Sequence, residues 1–69
     1  MVVTGTLLQY KRMFMQGEHE VLLDLEGELS SRWFLVTAGV ATIAKLRNLL
    51  GKRVSVRLTG DMVIHLELS

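Results

Sequence analysis

Apolar and polar residues alternate most regularly in the last third of the chain. Val54, Val56 and Leu58 alternate with Arg53, Ser55, Arg57 and Thr59, and Met62, Ile64, Leu66 and Leu68 alternate with Val63, His65 and Glu67. Period-two patterning on both sides of Thr59-Gly60-Asp61 predicts two half-buried strands joined in a hairpin. Opposed residues of an antiparallel pair share a face. A two-residue loop at Gly60-Asp61 would pair Leu58 with Val63 and Val56 with His65, bringing His65 and Glu67 to the apolar side. A three-residue loop pairs Leu58 with Met62, Val56 with Ile64 and Val54 with Leu66, and sets Arg53 opposite Glu67 and Ser55 opposite His65. The alternation selects the three-residue turn or an equivalent bulge. It turns Arg57, Ser55, Arg53, Val63, His65 and Glu67 to one outward face.

Upstream, residues 2–10 read as a first strand, with Gly5 in its middle as the expected bulge or bend. Residues 20–26 form a second strand, with Val21, Leu23 and Leu25 on one face and Leu22, Asp24 and Glu26 on the other. Residues 31–37 form a third. Its run Trp33-Phe34-Leu35-Val36 suggests contact on both faces, and Trp33 and Phe34, being adjacent, cannot both face outward. The period then lengthens over residues 42–51. A short helix is predicted there, with Thr42 as N-cap, Ile43, Leu46 and Leu50 on one stripe and Gly51 at C′. The order is three strands, a helix and two strands. The fold class is therefore mainly β: one domain over residues 1–69, a small five-stranded barrel with one short helix between strands 3 and 4.

That order resembles the OB-fold, in which a helix lies between the third and fourth strands and plugs the barrel end. Thr4-Gly5-Thr6-Leu7 in a kinked first strand, the short helix, and Leu50-Gly51-Lys52-Arg53-Val54-Ser55-Val56 entering the fourth strand carry the resemblance. Val21-Leu22-Leu23-Asp24-Leu25, Val36-Thr37 and Gly51-Lys52-Arg53-Val54 also look like parts of the molybdate-binding Mop/TOBE domains, which are OB-like barrels of this length. Those domains carry an Arg-Asn pair ahead of the first-strand glycine, where Val3 and Thr4 stand here. Their later Ser falls in the region of Gly39 and Val40, and their fourth-strand Lys falls at Thr59. The likeness therefore implies fold and assembly, and speaks against molybdate binding. A five-stranded SH3-like barrel uses similar patterning with different connections.

Composition changes the functional picture in one direction. The chain has 69 residues, of which 49% are apolar, and no cysteine. A domain of this size buries only about 60% of the surface its unfolded chain exposes. Some apolar side chains are then left for the surface, where a second copy or another protein can cover them. The net charge of +1 supplies no strong field toward nucleic acid or anionic membrane. No basic leader segment opens the chain and its longest uncharged run is too short to span a bilayer, so a cytoplasmic location without membrane contact is expected.

Candidate chemistry is sparse. His19 and His65 are the only histidines, and neither has a second histidine or a cysteine at ligand spacing. No serine lies in a nucleophile elbow, no glycine-rich phosphate loop is present, and Asp24, Glu26 and Glu28 read as a solvated edge. No enzyme and no cofactor is expected. Leu22, Val63 and the Met13-Phe14-Met15 segment are apolar groups without an obvious interior place. Together with Arg57 they form the expected interface of a non-enzymatic binding or assembly module that self-associates or takes a protein partner. The alternative is single-stranded nucleic-acid binding by Lys11, Arg12, Trp33, Arg53 and Arg57, with Arg53 and Arg57 joining Lys11 and Arg12 in a basic stripe.

Overall fold

The computed structural model describes residues 1–13 and 17–69. Five strands close into a barrel: β1 (Val2–Arg12), β2 (Glu18–Leu25), β3 (Arg32–Thr37), β4 (Arg53–Thr59) and β5 (Met62–Leu68), in ring order β1-β2-β3-β5-β4. The helix α1 (Ile43–Leu49) lies between β3 and β4. All neighbours are antiparallel except β3 and β5, which run parallel through Leu35–Met62 and Val36–Val63. The mainly β barrel with a single short helix after the third strand is the architecture the pattern predicts. Among the described residues no helix is long and apolar enough to cross a membrane.

β1 belongs to both sides of the barrel. Its first half pairs with β4, its second half with β2, and Gly5 and Thr6 pair with both. The expected irregularity at Gly5 is corrected: the register shift lies three residues later, at Leu8, which the bulge leaves 40% exposed. Gly5 serves instead as a point of close approach. A Cβ there would sit 2.7 Å from the Asp24 carbonyl oxygen and 3.0 Å from Leu25 Cα. Only a residue without a side chain lets the two backbones meet where β1 turns the barrel's corner.

The β4–β5 hairpin corrects the expected register. The loop is the two-residue Gly60-Asp61 turn, pairing Thr59 with Met62 and Leu58 with Val63. Gly60 has φ +61° and Asp61 does not have positive φ, the combination of a type II′ turn. A bulge then inserts Ile64, after which Arg57 faces His65, Val56 faces Leu66, Ser55 faces Glu67 and Val54 faces Leu68. The extra residue inverts the parity of everything beyond it. Val63 and Leu66 are therefore both buried, while Met62, Ile64 and Leu68 are exposed. The reading of Val63 as an outward contact residue is overturned, because uninterrupted alternation cannot bury two residues three apart. Val63→Ala should lower the unfolding free energy by about 2 kcal/mol, and Ile64→Lys should change it by no more than about 0.5 kcal/mol. Urea melts of both variants check this, and the reverse ranking would restore the unbulged register.

The core runs through alternate positions of the strands. Leu7, Val21, Leu23, Phe34, Val36, Val54, Val56, Val63 and Leu66 are at most 2% exposed. The helix adds Leu46 and Leu49. Thr42 caps it, its hydroxyl accepting from Lys45 N at 3.1 Å, and Gly51 follows the C-cap at φ +78°. Leu50, expected on the buried stripe, is 44% exposed, because the chain becomes extended there (φ −58°, ψ 130°) and leaves the helical face. Lys45 Nζ donates to the Leu66 carbonyl at 2.7 Å, tying α1 to β5.

Candidate functional site

Strand pairing determines which apolar groups reach the outside. Val21 pairs with Phe34 and both are buried, so the adjacent pair Leu22–Trp33 points outward. Likewise Val36 pairs with Val63 inside, so Leu35–Met62 points outward. Leu22, Trp33, Leu35 and Met62 thus form one apolar band across the outer surface of β2, β3 and β5. Leu22 and Leu35 are half-buried, Trp33 is 40% exposed and Met62 37%. Of the two adjacent aromatics, Phe34 fills the core and Trp33 stands outside.

Charge reaches the band at Trp33, where Lys11 stands over the ring, and at Leu35, which Glu20 faces across the β2–β3 ladder. Lys11 Nζ lies 4.8 Å from the centroid of the Trp33 ring and 3.6 Å from Glu20 Oε1. Such a cation over an exposed indole contributes about 0.5–1 kcal/mol. One β5 residue adjoining Met62 extends the apolar surface: Ile64, on the bulge, 44% exposed.

The basic residues do not form one stripe. Arg53 pairs across the β1–β4 ladder with Thr6 and Arg57 with Val2. Lys11 lies five residues beyond Thr6, roughly 16 Å of strand at 3.3 Å per residue, on the part of β1 that faces β2. The expected alignment of Arg53 and Arg57 with Lys11 and Arg12 is therefore corrected. Arg53 bonds Glu26 rather than facing Glu67, and His65 Nε2 lies 3.5 Å from Glu67 Oε2. Arg57 is exposed opposite His65, around the barrel from Trp33. Arg32 bonds Asp61 Oδ1 at 3.3 Å and lies over the Phe34 ring.

A second feature lies where the β1–β2 hairpin approaches the start of α1. A cleft of about 560 Å³ is lined by Arg12, Met13, Gly17, Glu18, His19, Ala38, Thr42, Ile43 and Ala44. His19 shares the inward parity of Val21, Leu23 and Leu25 and is 6% exposed. Among the described residues its Nδ1 has no hydrogen-bond partner. A buried polar atom left unpaired costs about 1–3 kcal/mol. Arg12 pairs directly with His19 across the ladder, so both project to the same side, and Arg12 makes no salt bridge among the described residues. Among those residues no three His, Asp or Glu side chains cluster as a metal site.

The expected contact residues thus separate. Leu22 and Trp33 share the outer band, Met13 and Arg12 line the cleft, Arg53 and Arg57 lie on β4, and Val63 is core. Phe14 and Met15 lie outside the described residues. The outward places of Leu35 and Met62 were hidden in the sequence by the bulge and by the unbroken apolar run of β3. Starting the second strand at residue 20 misses the burial of His19, although His19 continues the spacing of Val21, Leu23 and Leu25. Comparison with protein-family models, curated proteins and solved structures finds no significant match to this chain.

Proposed function

We propose that the chain is an OB-like barrel acting as a non-enzymatic assembly module, in which the outer β2–β3–β5 face packs against the same face of a second copy. The ring order and the helix after the third strand agree with the OB resemblance. The observation that carries the reading is the outward band Leu22, Trp33, Leu35 and Met62, continuous across three neighbouring strands. Its edge carries Lys11 and Glu20 side by side, so a two-fold arrangement can set each lysine against a partner's acid without like-charge conflict. A stable interface buries about 800 Å² per partner, roughly a fifth of the 4451 Å² surface of this chain. A face spanning three of five strands can supply that area.

Light scattering should give twice the 7.8 kDa chain mass. A single-chain mass persisting to about 1 mM would overturn the proposal, since an interface weaker than that contributes less than about 4 kcal/mol.

Single-stranded nucleic acid is the second reading, favoured by Trp33 standing outward beside Lys11. A base would stack on the indole and the lysine would follow the phosphate. Two features weigh against it: the ammonium already covers the ring, and Arg53 and Arg57 lie elsewhere on the barrel. A fluorescence titration with mixed single strands at low salt separates the two. Quenching of Trp33 with strong salt dependence supports the nucleic-acid reading, and an unchanged signal removes it.

A further inference from the structure

The cleft between the β1–β2 hairpin and α1 has no part in the proposed assembly face, because none of Leu22, Trp33, Leu35 and Met62 lines it. We propose that it binds a small organic monocarboxylate with an apolar body. Two observations point there. The guanidinium of Arg12 makes no salt bridge among the described residues, and a planar fork of this kind matches a carboxylate with two parallel hydrogen bonds. His19, in the same lining and 94% buried by its 6% exposure, has a ring nitrogen without a partner among the described residues. A ligand group that reaches this ring would satisfy a donor or acceptor that the described residues leave unpaired.

The remaining walls choose the rest of the ligand. Met13, Ala38, Ile43 and Ala44 are apolar, and the volume of about 560 Å³ is within the range of sites for small organic molecules. A compact inorganic oxyanion would leave that apolar wall uncovered. Glu18 stands in the same lining. Its carboxylate repels a second negative charge, which favours monoanions over dianions. The Thr42 hydroxyl already accepts from Lys45 N and keeps its own proton to donate.

The test is a nitrogen-15 amide titration of the whole chain with 4-methylpentanoate, with 4-methylpentanamide and inorganic phosphate as comparison probes. Saturable shifts in the low-millimolar range are expected for the carboxylate, among the described residues largest at the amides of Arg12, Met13, Gly17, Glu18, His19, Ala38 and residues 42–44. Arg12→Gln should weaken binding about tenfold, the loss of one charge-assisted contact, and Arg12→Lys should recover part of it. Trp33→Glu should bind the carboxylate unchanged, which separates this site from the assembly face. Absence of saturable shifts would overturn the proposal. Equal binding of the amide or of phosphate would do so too, because neither then reflects a charge read beside an apolar wall.

Discussion

Trp33→Glu is expected to leave a folded monomer. The indole lies at the middle of the outer band, paired with Leu22 on one strand and two residues from Leu35 on its own. Removing a central aromatic anchor typically weakens an interface by about 2–4 kcal/mol. In a two-fold dimer each substitution is present twice, so the effect is about 4–8 kcal/mol, a thousandfold or greater rise in the dissociation constant. The carboxylate adds a buried like-charge pair wherever the two faces meet. Folding should survive, because Phe34 and not Trp33 fills the core, and the introduced acid keeps Lys11 as a neighbour. Sedimentation velocity reads the mass and a thermal melt reads the fold. Arg57→Glu is the control: on β4, around the barrel, it should leave the dimer intact. A dimer that survives Trp33→Glu and dissociates with Arg57→Glu would move the interface to the β4–β5 side.

Gly5→Ala should destabilise the barrel by about 3 kcal/mol, at the upper end of what overpacking costs. The added methyl would meet the Asp24 carbonyl oxygen at 2.7 Å and the Leu25 Cα at 3.0 Å. All of the nearest atoms are backbone, so no side chain can rotate away. Relief requires β1 to part from β2 at the place where β1 is also bonded to β4 through Val54. A chain of 69 residues has a total stability of roughly 3–10 kcal/mol. The substitution therefore removes about 30% of it or more. Urea denaturation should show a lower midpoint with an unchanged slope. A midpoint shift equivalent to less than about 0.5 kcal/mol would mean that the strands separate freely and that Gly5 is not the closing contact.

The amino-acid sequence by itself determined the strand count, the helix and its place after β3, and most of the core. Those are local properties. Alternation in β2 and β4 is uninterrupted, so Val21, Leu23, Val54 and Val56 could only be interior, and Thr42 with Gly51 bounded the helix through backbone chemistry close at hand. Only the tertiary structure decided the parity of β5. A bulge costs one unpaired residue, and whether it forms depends on what the partner strands bury. With β4 on one side and β3 on the other, burying Val63 and Leu66 together requires Ile64 to be set aside. The same non-local choice turned Met62 out beside Leu35 and so completed the apolar band. Barrel closure also decided which charges meet: Arg53 found Glu26 from the end of β2, and Lys11 found Trp33 across two strands. Residues far apart in sequence acquire a common face only when the ring closes, and no period read along one strand contains that information.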